Sequence, residues 1–191
     1  MRKMNRNGRK LSGAVLLLAI ALASFAVAAI TITNITEWTV RAEMPPIVKV
    51  KGADAINTSY IYTRFYSQVA SDGSNRTYIT ITGFRGDPTK YDDIIKICNK
   101  DSVSYDVELK YGGKISGDWT YVKWIKFWIA GQGTLEINSG VATGSAATTI
   151  PSGQCASVSV EVLVDGSLPD GMLGQDLLTI EIDVVSTKPT P

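Results

Sequence analysis

Cys155-Ala156-Ser157-Val158-Ser159-Val160-Glu161-Val162-Leu163-Val164-Asp165 is the stretch on which the fold class turns. Val158, Val160, Val162 and Val164 alternate with Ser157, Ser159, Glu161 and Leu163. A period of two places one set on a buried face and the other outward, which is a half-buried β-strand. The period returns near the end of the chain, where Leu178, Ile180, Ile182 and Val184 alternate with Thr179, Glu181 and Asp183. It returns again at Val103, Tyr105, Val107, Leu109 and Tyr111, between Ser104, Asp106, Glu108 and Lys110.

Weaker runs of the same kind cover Ile47 to Val50, Ser59 to Val69, Tyr78 to Thr82, Asp93 to Cys98, Trp119 to Ile129 and Thr134 to Asn138. Turn residues separate them: Asp72-Gly73, Gly86-Asp87-Pro88, Asn99-Lys100-Asp101, Tyr111-Gly112-Gly113, Ser116-Gly117-Asp118, Pro151-Ser152-Gly153 and Asp170-Gly171. No stretch after the first 28 residues carries a convincing helical period. Many short strands with frequent turns predict an all-β antiparallel sandwich or barrel. One-sided alternation is met by two sheets packed face to face.

The amino-terminal end has a different grammar. Arg2, Lys3, Arg6, Arg9 and Lys10 precede an apolar run from Ala14 to Ala23, and Ala26-Val27-Ala28 fits the small-residue signal for a peptidase cutting before Ala29. Residues 1–28 are therefore read as a cleaved signal peptide. Two other readings stay open. A type IV pilin would be cut near Lys10-Leu11 and keep its apolar helix, and an uncut leader would be a membrane anchor, since Leu11 to Ile32 is long enough to span. Directly after the leader comes Ile30-Thr31-Ile32-Thr33-Asn34-Ile35-Thr36-Glu37-Trp38-Thr39-Val40, which is already strand-patterned. The expected organisation is a strand segment over 29–42, a β domain over 43–185 and a Pro/Thr tail over 186–191.

Without the leader roughly 160 residues remain, enough for one domain with a core. The leader holds five of the 19 basic residues and none of the 18 acidic ones, so the remainder carries 14 against 18 and a net charge of −4. That balance disfavours nucleic acid, whose binders need a basic face. Histidine is absent. The commonest general base, the usual zinc ligand and the usual partner of a nucleophile are all missing with it. Asp92 and Asp93 are adjacent, so on a strand they face opposite ways and share no acid/base work. Asp165, Asp170 and Asp176 flank a glycine-rich loop that could hold calcium, although the spacing matches no EF-hand and acidic residues around turns are ordinary. No nucleophile elbow, HExxH or phosphate loop is present. The expectation is a chain without catalysis, cofactor or metal.

Cys98 and Cys155 are the two cysteines. One intrachain disulfide is the simple reading for an exported chain, with two unpaired thiols or a bridge between subunits as alternatives. Trp119 to Ile129 is aromatic on both faces, with Trp124 and Trp128 on one side and Tyr121, Ile125 and Phe127 on the other. One face packs; the other is open to a subunit contact or to a carbohydrate. Asn-x-Ser/Thr sequons stand at Asn34, Asn57 and Asn75. Asn75 lies in a predicted loop, whereas Asn34 shares a face with Ile30, Ile32, Trp38 and Val40, which should be the buried one.

The order of these features resembles the TasA/camelysin class of secreted filament proteins and their archaeal relatives, the bundling pilins. The leader RKLSGAVLLLAIALASFAVAA running into a strand, the strand-turn-strand DDIIKICNKDSVSYDVELKYGG with Asn99-Lys100-Asp101-Ser102 at its turn, and the closing LLTIEIDVV carry the resemblance. It implies a jelly-roll-like β-sandwich completed by a donor strand from a neighbouring subunit, with Ile30, Ile32, Trp38 and Val40 as the inserted apolar side chains. The partners so implied are identical subunits in a helical homopolymer, with neighbouring filaments or the cell surface beyond, no nucleic acid, and a membrane only through the leader before cleavage. The implied role is an extracellular filament in adhesion or biofilm matrix. The alternatives are the type IV pilin and a membrane-anchored or secreted carbohydrate-binding β domain. A metalloprotease label carried by some members does not transfer to a chain without histidine.

Overall fold

A computed structural model describes residues 39–56, 64–69 and 75–189. The chain divides into two units, Met1–Glu43 and Met44–Pro191. Of the first, only 39–43 are described; they are exposed and without regular secondary structure.

The second unit is nearly all β. Its strands are β1 (Ile47–Lys51), β2 (Arg64–Val69), β3 (Asn75–Thr80), β4 (Thr89–Asn99), β5 (Tyr105–Gly117), β6 (Val122–Ile129), β7 (Gln132–Asn138), β8 (Val141–Ile150), β9 (Cys155–Val164) and β10 (Leu178–Thr187). A short 3-10 turn at Asp170–Met172 is the one helical element among the described residues. Eight strands form a single sheet in the order β1-β4-β9-β6-β7-β8-β5-β10, and β2 pairs with β3 separately. Every strand pair is antiparallel.

The alternation in β9 is reproduced side chain by side chain: Ala156, Val158, Val160, Val162 and Val164 are buried, and the residues between them are more exposed. Tyr91, Ile95 and Ile97 of β4, Ile125 and Ile129 of β6, Leu135 of β7 and Val107 and Leu109 of β5 pack with them in one cluster. Central strands bury one face because the sheet curls around that cluster until it is nearly closed.

β8 makes the curl. Residues 141–145 pair with β7, while 146–150 pair with β5. At the changeover the backbones of β7 and β8 approach so closely that a Cβ on Gly133 would lie 2.2 Å from the Ser145 carbonyl oxygen, and one on Gly144 equally near that of Thr134. Both glycines have positive φ, +59° and +72°, so no other residue fits without strain. β8 was not expected from sequence, because Val141-Ala142-Thr143-Gly144-Ser145-Ala146-Ala147-Thr148-Thr149-Ile150 lacks the bulky apolar alternation that marks the other strands. A second correction concerns Tyr111-Gly112-Gly113, which does not turn. β5 runs through it to Gly117, paired with β10 through irregularities at Thr179/Ile180 and Glu181/Ile182.

Two hairpins around β7 turn in two residues each. Ala130 and Gly131 have φ of 50° and 70°, and Ser139 and Gly140 have 50° and 82°. Positive φ at both central residues is the type I′ geometry that suits strand twist.

Cys98 and Cys155 stand opposite each other on β4 and β9 and are disulfide-bonded. The intrachain bridge is thus realised, and neither a free thiol nor a bridge between subunits is left for these two. Next to it, Asn99 is fully buried. Its amide nitrogen donates to the carbonyls of Val103 (2.7 Å) and Ile150 (2.9 Å), and its side-chain oxygen accepts from the Asp101 N–H (2.9 Å).

Candidate functional site

β1 and β10 are the two edges of the curled sheet. Among the described residues β1 pairs only with β4, and β10 only with β5. Each therefore presents one row of backbone N–H and C=O groups with no described strand against it, which is the kind of surface onto which another strand adds. The two edges lie close: Pro45, Ile47 and Lys49 on one side and Ile182, Asp183, Val184 and Ser186 on the other line a common groove of about 350 Å³. Ile47, Ile182 and Val184 are partly buried against the main core cluster, so the groove opens onto the core.

Alternation along the sheet fixes the directions. Neighbours are antiparallel across all seven pairings of the eight-stranded sheet, so β1 and β10 also run in opposite senses. A single strand placed between them is necessarily parallel to one and antiparallel to the other.

Lys49 is the odd member of this lining. It follows Ile47 on the same face of β1, and burial lowers its pKa from the ordinary lysine value, with Asp183 across the groove pulling it back up.

The outer face of the sheet is tiled with charge. Lys126 of β6 stands between Glu136 of β7 and Glu161 of β9, and Glu161 is opposite Lys90 of β4. Trp124 and Trp128 share this outer face, as expected, and each ring meets a lysine: the Lys126 ammonium is 4.3 Å from the Trp124 ring centroid and that of Lys90 is 5.6 Å from Trp128. Cation–π attraction of this kind helps to hold a lysine over an indole ring. Trp119 and Tyr121 lie before β6 begins, so the expected strand is shorter at its start. Both pack against the core cluster.

The acidic loop after β9 is held by cations. Asp165 accepts from Lys123 and from the Ser167 N–H, which together depress its pKa to about 2. Asp170 pairs with Arg85 at 2.6 Å, and the same guanidinium nitrogen donates to the Leu168 carbonyl. On β4, burial alone would raise the Asp93 pKa, but the Ala53 N–H, Ser157 and Lys96 outweigh it and the net shift is downward. Asp54 accepts from the Asp92 and Asp93 backbone amides. Among the described residues no three acidic or cysteine side chains are grouped to hold a metal.

Of the residues singled out from sequence, Ile30, Ile32, Asn34, Trp38 and Asn57 lie outside the described residues. Val40 is 94% exposed. Asn75 is the first residue of β3, opposite Val69, and not in a loop. The groove residues were not singled out as a site, although Pro45-Pro46 before an apolar pair and the Lys49 that follows it are visible in the sequence. What sequence did not reveal is that the first and last strands of the domain end as neighbours. No protein-family model and no curated protein matches the chain.

Proposed function

We propose that the protein is a non-catalytic structural subunit of an extracellular filament, assembled when the strand segment of one copy, residues 29–42, completes the sheet of the next. The observation that carries this reading is the pair of edges, β1 and β10, each with one partner strand among the described residues, flanking a groove that opens onto the core. In this reading the nearly closed sheet is a jelly-roll-like sandwich one strand short, with β8 serving both layers. Main-chain hydrogen bonds to the edges supply affinity, and pockets for alternate side chains supply register. Ile30, Ile32, Trp38 and Val40 lose solvent exposure on insertion, each contributing roughly 1.5 to 3 kcal/mol before ordering costs. The association is head-to-tail, does not close, and so builds a fibre. The Cys98–Cys155 bond suits an oxidising compartment outside the cytoplasm, and the resemblance to filament proteins points the same way.

Deleting Ala29 to Val40 tests the proposal. The expected product is secreted, folded and monomeric, while the parent forms filaments visible by electron microscopy; filaments from the deleted chain would refute it. Amino-terminal sequencing of the secreted protein should begin at Ala29. A start at Leu11 would move the assignment to a type IV pilin.

A further inference from the structure

An incoming strand has two possible directions in the β1–β10 groove, and connectivity chooses between them. Each copy's own strand segment leaves β1 at its amino-terminal end through Arg41-Ala42-Glu43-Met44-Pro45-Pro46. Six residues reach at most about 20 Å, which is shorter than the diameter of a domain of this size. If the incoming strand ran antiparallel to β1, its carboxyl-terminal end would emerge where the receiver's own link departs. The copies on either side would then crowd one end of the receiver. If it runs parallel to β1, the two links leave from opposite ends and the chain of subunits extends. That direction is antiparallel to β10, the longer edge, and antiparallel pairing is the stronger kind per residue.

The same direction is denied to a strand folding back within its own chain. Such a strand, tied by the short link, must run antiparallel to β1. Pro45 and Pro46 also hold the link extended, since a residue preceding proline is driven to extended backbone.

Side-chain chemistry then selects a register. Along the groove Ile47 is apolar and Lys49 is polar, and Ile182, Asp183 and Val184 line the other edge; since the edges run in opposite senses, Ile47 is matched with Val184 and Lys49 with Ile182. Along the incoming strand the even-numbered set is Ile30, Ile32, Asn34, Thr36, Trp38 and Val40, in which Asn34 is the most polar member. Setting Asn34 at Lys49 puts Ile32 at Ile47 and Val184, Ile30 at Pro45 and Ser186, and Trp38 at Leu178. Inward positions of all three strands coincide. A polar match inside a largely apolar seam is a device that fixes register at some cost in stability.

We propose that the strand received in the β1–β10 groove comes from a second copy, runs parallel to β1 and antiparallel to β10, and seats its Asn34 at Lys49. This rests on the filament reading above and specifies its joint. The Asn34 side-chain oxygen accepts from the Lys49 ammonium, which lines the groove with Asp183 across from it. A seated Asn34 is closed to glycosylation in spite of its sequon.

Cysteine pairs placed symmetrically about Asn34 test the direction. Thr31→Cys with Val185→Cys should give a ladder of intermolecular disulfides on non-reducing gels, and Glu37→Cys with Val185→Cys should not. A ladder from the Glu37 pair alone overturns the direction. Neither pair linking while filaments still form overturns the groove as the joint but leaves the filament reading; no filaments from the parent chain would sink that reading and this one together. Asn34→Val or Lys49→Met alone should raise the critical concentration for polymerisation roughly tenfold, the scale of one buried polar group left unmatched, and the double variant should restore much of it. Single variants without effect, or a glycan on Asn34 in intact filaments, would overturn the register.

Discussion

Asn99→Ala is the substitution whose cost can be worked most directly from the structure. The side chain is fully buried and makes three hydrogen bonds, to the carbonyls of Val103 and Ile150 and from the Asp101 N–H. Truncation leaves the buried Ile150 carbonyl without this donor, at about 1 to 3 kcal/mol. The Val103 and Asp101 groups are closer to solvent and regain part of their hydrogen bonding from water, so about 0.5 to 1 kcal/mol is assigned to each. The sum is about 2 to 5 kcal/mol, a large share of the 5 to 15 typical of a domain. Asn99→Asp keeps the shape but turns the donor that faces two carbonyls into an acceptor, and should cost at least as much. Equilibrium unfolding in urea of the oxidised protein, followed by tryptophan fluorescence, measures both. A loss below about 1 kcal/mol for Asn99→Ala, on the scale of one ordinary hydrogen bond, would refute the reasoning.

Replacing both Cys98 and Cys155 by alanine should lower stability by about 4 kcal/mol on the chain-entropy model, measured by the same titration. Ala130→Asn should raise stability by about 0.5 to 1 kcal/mol, because Ala130 holds a φ of 50° that asparagine adopts more readily; an unchanged unfolding midpoint would count against it. Asp165 has a folded pKa of about 2, below the unfolded carboxylate value. Its contribution is therefore complete above about pH 4 and is lost as pH falls through about 2. Asp165→Asn should flatten that part of an acid-unfolding curve, and an NMR titration of the Asp165 carboxyl should locate the midpoint.

The strands that sequence revealed are those that turn one face of bulky apolar side chains to the core and the other outward. β9 and β10 alternate large and polar side chains because each has a distinct inside and outside, and period alone identifies such a surface. β8 was invisible for a physical reason. It passes between β7 and β5 at a point where the backbones nearly touch, and this demands Gly144 where a marked strand would carry valine or isoleucine. Gly112-Gly113 misled in the opposite way. The pair absorbs a ladder irregularity opposite Glu181, and a local reading does not distinguish an irregularity from a turn. Asn99 was noticed only as a turn residue, since nothing local tells that a carbonyl 51 residues away needs its amide. The groove was hidden for the same kind of reason: strand order is a property of pairings distant in sequence.

The covalent rung beside the first strand gives the proposed fibre a mechanical character. Val48 of β1 stands opposite Cys98, and Cys98 is tied to Cys155 on β9. When two links leave a subunit from opposite ends, tension runs along β1 and β10 and loads their ladders in shear, so many hydrogen bonds resist together. The bond between β4 and β9 then fastens the loaded edge to the middle of the sheet. A stretched fibre would yield first at the non-covalent joints between copies, and those can re-form, while each subunit keeps its shape.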